Sequence, residues 1–286
     1  MLKRNQIKGL KMLDYLSKFL FHPLWDLKDG SSKNKYLKLF EKSQYWSKDQ
    51  IVEWQINQLK KMLIHAYETV PFYKRRFNES GFDPFKFHKL DHMLQIPYLT
   101  KKDIQNHGDE LLSSKYRPEE LIPDLTGGST GQPIKFYYNR ERKDIKQAST
   151  IRHNRWAGYD LGEQLGVVWG HRRDFSQGSA QSFKEKLRNV LLDRTYFLDS
   201  SSIDETEMDK FIALLKIKQI KFLLAYANSL FLFVKYLKHK NIKNLGIEAV
   251  ITSAELLEPN VRQEIENVLN CQVYDRYGCR EFSVIA

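Results

Sequence analysis

Ile220-Lys221-Phe222-Leu223-Leu224-Ala225-Tyr226, Ile247-Glu248-Ala249-Val250-Ile251-Thr252 and Gln272-Val273-Tyr274-Asp275-Arg276-Tyr277 are three short, mostly apolar runs near the end of the chain. Two stretches of helical character separate them, Ser229 to Lys238 and Pro259 to Leu269. Strand, helix, strand, helix, strand with short connections predicts an α/β fold: a largely parallel sheet flanked by helices. The alternation extends upstream. Gln164 to Trp169 reads as a buried strand and Thr195 to Leu198 as a short one, and Ser202-Ile203-Asp204-Glu205 caps a helix over Met208 to Ile217.

The first 120 residues have a different texture. A helix over about Lys8 to Phe21 carries Leu10, Leu13, Leu16 and Leu20 on one face, and Pro23 with Asp29-Gly30-Ser31-Ser32 breaks the chain after it. Ser47-Lys48-Asp49-Gln50 fits a capping box ahead of a helix with Ile51, Trp54, Leu59, Met62 or Leu63, and Ala66 on one stripe, ending at Pro71. Phe72 to Phe77 opens a short helix stopped by Gly81 and Pro84. Thr100-Lys101-Lys102-Asp103 starts another after the extended Ile96-Pro97-Tyr98-Leu99. The expected organisation is a mainly helical region over 1–120 packed on an α/β core over 121–286, with a helix over about Arg140 to Trp156 inside the latter.

With 286 residues, 42% hydrophobic and 28% charged, the chain can bury a substantial core. The net charge of +11 admits nucleic acid, anionic lipid or an anionic small ligand as partner. The lysines are scattered at helical spacing and no recognition-helix or zinc-finger pattern is present, which argues against nucleic acid. The amphipathic N-terminus can brush a membrane surface, although docking on the protein's own core is the simpler expectation. No run is long enough to span a bilayer, Met1 to Phe21 lacks a signal-peptide core, and Cys271 and Cys279 have no metal-ligand spacing. These features predict a cytoplasmic protein and leave its oligomeric state open.

Three segments carry candidate chemistry. Thr126-Gly127-Gly128-Ser129-Thr130-Gly131-Gln132-Pro133 concentrates glycines and hydroxyls between two β-like stretches. Successive amides in such a loop form a donor nest for phosphate, and the same composition also makes a plain hairpin tip. Ser253-Ala254-Glu255 follows the strand that begins at Ile247, where small residues admit a flat ring. Asp275 to Glu281 follows the last predicted strand with an aromatic face, a glycine, a guanidinium and two carboxylates. Ligands of open parallel sheets bind at the carboxyl ends of strands. Tyr277 suits base stacking, Asp275 an exocyclic amine, Arg280 phosphate and Glu281 a hard cation.

In order and composition the three segments resemble the adenylate-forming (AMP-binding) superfamily, and within it the phenylacetate-CoA ligase-like proteins, including those associated with capsular polysaccharide biosynthesis. The resemblance takes in Ser43-Gln44-Tyr45-Trp46-Ser47, the stretch from Leu63 to Tyr73, Ile96 to Asp103, the glycine loop and the run from Val250 to Ala286. It implies that Thr126, Gly127, Gly128, Ser129, Thr130 and Gly131 hold the triphosphate of ATP with Arg280 nearby. Ser253, Ala254 and Glu255 would pack against adenine, Asp275 would recognise its amine, and Tyr277 and Gly278 would form the stacking pair. Glu281 would serve magnesium, and His171 would line the carboxylate pocket. The implied activity is ATP-dependent conversion of a carboxylic acid to an acyl-adenylate, followed by transfer to a thiol such as coenzyme A.

Position 280 is Arg where the wider superfamily prefers Thr or Ser, and the lysine that commonly follows the loop's proline is displaced to Lys135. Relatives continue beyond the Tyr-Gly-x-x-Glu motif to a ribose-binding aspartate and a small C-terminal lid domain that carries the catalytic lysine. This sequence stops at Ala286, five residues after Glu281, so it is expected to be a fragment or a natural truncation, to bind ATP weakly and to turn over little. The alternative expectation is a non-catalytic protein of a polysaccharide pathway that retains the fold.

Overall fold

The computed structural model describes residues 11–126, 133–170 and 183–286. In chain order the helices are α1 (residues 11–29), α2 (Lys33–Ser43), α3 (Lys48–Thr69), α4 (Pro71–Ser80), α5 (Lys101–Asn106), α6 (Arg140–Trp156), α7 (Phe183–Arg188), α8 (Glu205–Lys218), α9 (Ala227–His239) and α10 (Pro259–Leu269). The strands are β1 (Ile122–Leu125), β2 (Lys135–Tyr138), β3 (Leu165–Trp169), β4 (Thr195–Asp199), β5 (Phe222–Ala225), β6 (Ala249–Ser253), β7 (Gln272–Arg276), β8 (Gly278–Cys279) and β9 (Ser283–Val284). The chain divides into two compact units, one formed by residues 35–145 and the other by the segments on either side of it.

In the unit of residues 35–145, two helix starts follow their sequence signals. The Gln50 amide donates to Ser47 Oγ at 3.3 Å while the Ser47 amide donates to Gln50 Oε1 at 3.0 Å, a reciprocal cap on α3. Thr100 and Asp103 cap α5 in the same way. Pro71 occupies the first turn of α4, where its missing N–H costs nothing, and Gly81 ends that helix in the left-handed region at φ 68°. The core here is Leu63, Phe77, Phe82 and Phe87, with Ile56, Leu59, Ala66 and Tyr67 packed against them. The stripe expected on α3 is therefore rotated. Ile51, Trp54 and Met62 are exposed, because the buried face follows Ile56, Leu59, Leu63 and Ala66. β1 and β2 form an antiparallel hairpin in which Leu125 faces Lys135 and Ile122 faces Tyr138.

The other unit holds a five-stranded, all-parallel sheet in the order β4-β3-β5-β6-β7. Every residue of β3 and β5 is buried, as expected for central parallel strands covered on both faces. One face packs Val168, Leu223, Val250 and Val273 against α8, α9 and α10 through Phe211, Phe233 and Ile265. The opposite face packs Leu165, Val167, Trp169, Leu224 and Ile251 with Ala157 from the loop after α6. The edge strand β7 is shielded by α10. Glu266 accepts from the Val273 amide at 3.1 Å and the Arg262 guanidinium donates to its carbonyl, satisfying groups an exposed edge would leave open.

Two helices escaped the sequence reading and one expected break is absent. Pro23 interrupts nothing: α1 runs to residue 29 because the proline falls in the first turn of the α-helical stretch that follows a π-helical one at Ser17–Phe21. Gly30, at φ 59°, is the actual stop. Helix α7 is too short, at six residues, to announce itself, and α2 was not anticipated although Tyr36, Leu37 and Phe40 share one face. Ion pairs fasten α1 to the sheet unit, from Lys18 to Asp160 at 2.8 Å and from Arg194 to Asp14.

The connection after β3 leads to β4 on one side, and the one after β5 leads to β6 on the other. The strand order therefore reverses between β3 and β5, and the carboxyl ends there form the crevice in which open α/β sheets bind ligands.

Candidate functional site

Parallel pairing sets the carboxyl ends of four strands in one row. Val168 lies opposite Ala225, Ala225 opposite Thr252, and Thr252 opposite Asp275. One residue further on, Ser253 lies opposite Arg276. Because side chains alternate across a sheet, this edge presents two different surfaces.

On the face shared with α8, α9 and α10, the fully buried Thr252 donates its hydroxyl to Asp275 Oδ1 at 2.9 Å and so orients the carboxylate. Asp275 itself is exposed and lies within β7, inside the strand expected over Gln272 to Tyr277. The chain then turns sharply at Ala254, a non-glycine residue in the left-handed region at φ 69°. Such a conformation costs on the order of 1 kcal/mol or more and persists where surrounding structure enforces it. The turn delivers Glu255 to the start of α9, where its Oε2 accepts from the Asn228 amide at 2.9 Å. Tyr226, the residue preceding α9, makes no side-chain cap of its own. Glu255 is thus a long-range cap, and its negative charge sits at the positive end of the helix dipole.

On the opposite face the row reads Trp169, Tyr226, Ser253, Arg276. Trp169 and Tyr226 stack with ring centroids 3.8 Å apart. Arg276 Nε donates to Ser253 Oγ at 3.4 Å, and burial lowers the guanidinium's pKa. The end of α6 adds His153 and Trp156, whose rings meet at 4.5 Å, and Arg152, whose guanidinium lies 4.9 Å from the Trp156 ring centre. His153 Nδ1 is 2.7 Å from the Ser149 carbonyl, an acceptor only, so it carries the proton. Nε2 then accepts from Arg152 at 3.1 Å. Burial, with Arg152 and Arg276 nearby, depresses the imidazole pKa, and His153 is neutral.

Past β7 the chain folds back on itself. Gly278 pairs with Val284 and Cys279 with Ser283, and Tyr277 is clamped on its backbone by Ala286 and Ile285 at 2.8 and 2.9 Å. A Cβ on Gly278 would lie 2.5 Å from the Ser283 carbonyl oxygen, so only glycine fits this hairpin. The Tyr277 side chain is held outward, 68% exposed, and Arg280 and Glu281 lie at the exposed tip. Ser253, Ala254, Glu255, Asp275, Tyr277, Gly278, Arg280 and Glu281 all belong to this one unit.

Thr126 and Ile134, on either side of the glycine loop, belong to the other unit, next to the paired strands β1 and β2. Its base is fixed from both sides: the Thr126 amide donates to the Ile134 carbonyl at 3.0 Å, and the Ile134 amide donates to Thr126 Oγ1 at 2.9 Å. Gly127, Gly128, Ser129, Thr130 and Gly131 lie outside the described residues, as does His171. Among the described residues, no three His, Cys, Asp or Glu side chains gather as a metal site. A magnesium ion held by one carboxylate and substrate phosphates needs no such gathering. No helix among the described residues is long and apolar enough to cross a membrane.

Arg276, Arg152 and His153 were missed by sequence reasoning. The signal was a guanidinium inside a strand pattern, at a position that pairs it with the serine of the small-residue segment.

No protein-family model matches the chain. Over 117 residues it is 30% identical to the phenylacetate-coenzyme A ligase of Thermus thermophilus, covering 41% of this chain and 26% of that protein. It is 28% identical over 125 residues to the Escherichia coli enzyme of the same name, covering 44% and 29%. The match to Protein CapK of Staphylococcus aureus extends over 194 residues at 27% identity, covering 65% and 41%. The matched part therefore spans between a quarter and two fifths of these relatives. Among solved structures, 2-hydroxyisobutyryl-CoA ligase in complex with 2-HIB-AMP and CoA superposes with a TM-score of 0.61 at 16% identity, over 80% of this chain and 49% of that one. Its open conformation gives 0.59 at 18%, over 80% and 53%.

In fold the chain is similar to solved CoA ligases of the adenylate-forming kind. In sequence its matches lie among the phenylacetate-CoA ligases and CapK.

Proposed function

We propose that this protein binds ATP and a carboxylic acid and joins them to an acyl-adenylate, which a thiol such as coenzyme A then intercepts. The observation that supports this reading is the register of β6 with β7, in which Thr252 lies opposite Asp275 and Ser253 opposite Arg276 at the carboxyl edge of the sheet. Adenine lies along Ser253 and Ala254 and stacks on Tyr277, with Asp275 accepting from its amine. Gly278 leaves the approach open. Thr126 to Gly131 donate to the phosphates, Arg280 supplies positive charge, Glu281 shares the magnesium ion, and His171 lines the acid pocket.

A carboxylate oxygen attacks the α-phosphorus of ATP, the bond to the bridging oxygen breaks, and pyrophosphate leaves. Anion approaches anion, so the site's task is neutralisation and alignment rather than provision of a nucleophile. The thiolate then attacks the acyl carbon and AMP departs. A solved complex of 2-hydroxyisobutyryl-CoA ligase, similar in fold, holds 2-HIB-AMP together with CoA.

Pyrophosphate release, measured for the whole protein with ATP, magnesium and a panel of aryl and short-chain acids, tests the reaction. Acid-dependent release supports it, and ATP binding without release for any acid refutes it. A second reading is a protein of a polysaccharide pathway that retains the fold without catalysis. The match to CapK runs over 194 residues, against 117 and 125 for the two ligases. ATP binding without turnover is the outcome that second reading predicts.

A further inference from the structure

We propose that Arg276 is the anchor for a second anionic group on the substrate, so that the acid activated here is a doubly anionic one: an apolar or aromatic carboxylic acid bearing another carboxylate or comparable anion. This rests on the reading of the protein as an acid-activating, ATP-binding one.

The first observation is an imbalance. Two buried cations of the same unit are each matched by a carboxylate: Arg194 meets Asp14, and Lys33 meets Asp26 at 2.8 Å, whereas Arg276 is partly buried. Among the described residues, Arg276 makes one hydrogen bond, a long one to Ser253 Oγ, and has no carboxylate in ion-pair range. A guanidinium taken from water without a counter-ion is costly. Nothing acidic offsets the burial that depresses its pKa. Five N–H donors in a planar fork, nearly all unspent, suit a carboxylate held in bidentate fashion.

The second observation is what surrounds it. His153 is locked neutral with its acceptor nitrogen already given to Arg152, so it cannot serve as a counter-ion. Arg152 adds a second positive charge on the same side. The third is the rest of the row. Trp169 and Tyr226 form a stacked aromatic floor on the same sheet face as Ser253 and Arg276, at the point where the strand order reverses. An aromatic floor at one end and an unpaired guanidinium at the other fit a ligand with an apolar body and an anionic far end.

The test is calorimetric titration of the whole protein with phenylacetate and with 4-carboxyphenylacetate, which differ only in the ring carboxylate, with ATP titrated separately. Wild type, Arg276→Leu and Arg276→Lys are compared. A charge-assisted pair predicts that wild type binds the dicarboxylate about ten- to a hundredfold more tightly than phenylacetate. Arg276→Leu should erase that difference by weakening the dicarboxylate far more than it weakens phenylacetate or ATP, and Arg276→Lys should restore part of it.

Equal affinity for the two acids in wild type, or no binding of the dicarboxylate, overturns the proposal, and neither outcome depends on a variant folding. Equal weakening of both acids in Arg276→Leu would assign the guanidinium to the reacting carboxylate instead and also overturns it. Loss of ATP affinity alone would assign it to phosphate and overturns it as well. Failure of wild type to bind ATP strikes the proposed function, whereas ATP binding without dicarboxylate preference strikes only Arg276.

Discussion

Replacing Gly278 by alanine tests whether the terminal hairpin places the nucleotide. The added Cβ would lie 2.5 Å from the Ser283 carbonyl oxygen, 3.2 Å from its carbon and 3.3 Å from the Val284 Cα. All three neighbours are backbone, so no rotamer change relieves the contact, and the two short strands must part by nearly 1 Å to reach ordinary van der Waals distance. That movement works against the bonds that clamp Tyr277 to Ile285 and Ala286, each worth about 1 kcal/mol. The hairpin is peripheral to the sheet, so it should loosen locally while the core stays folded. Tyr277 would then no longer be held for stacking. Base stacking on an aromatic side chain is worth about 1–3 kcal/mol, so ATP affinity should fall about fivefold to a hundredfold. Calorimetric titration reads the affinity, and urea unfolding should show a midpoint close to wild type. Tyr277→Ala should lose a similar amount. A folded Gly278→Ala protein that binds ATP as wild type does would refute the assignment of this hairpin to the nucleotide.

Glu255→Ala removes the long-range cap on α9 and should cost about 1 kcal/mol in urea unfolding, with Glu255→Gln recovering much of it because the amide oxygen still accepts from Asn228. No loss in either variant would show that the carboxylate does not cap the helix. Thr252→Val deletes a fully buried hydroxyl that donates to Asp275, and should cost about 1–3 kcal/mol and loosen Asp275; an unchanged unfolding midpoint would contradict this. His153 has its pKa lowered from the ordinary 6.5, so the unfolded chain takes up a proton that the folded one resists. Its contribution to stability is whole above about 6.5 and is lost as pH falls through that value toward the folded pKa. The drop in urea midpoint between pH 7.5 and 5.5 should therefore be smaller in His153→Gln than in wild type, and equal drops would refute the buried neutral assignment.

The sheet was legible because β3, β5 and most of β6 are apolar runs, and helical stretches separate β5, β6 and β7. Capping boxes at Ser47 and Thr100 were legible because they are local, three residues from partner to partner. Helix α2 was not: its apolar face of Tyr36, Leu37 and Phe40 is short and interspersed with lysines. Pro23 misled because proline's effect depends on whether it enters a helix in its first turn or its middle, which the local sequence does not state. The site was half legible. Motif residues such as Tyr277 and Gly278 announce themselves by composition, whereas the role of Glu255 depends on Asn228, 27 positions away, and the exposure of Arg276 to His153 spans more than 120. Those relations arise from strand register, which no local pattern specifies.

The central claim is that the carboxyl edge of this sheet, with the hairpin beyond it, holds a nucleotide. Titrating the folded protein with ATP in the presence of magnesium, beside Tyr277→Ala, tests it most directly. One ATP per chain, with affinity reduced at least fivefold in the variant, is the predicted result. A folded wild-type protein that takes up no ATP, or a Tyr277→Ala variant that binds it equally well, would contradict the claim.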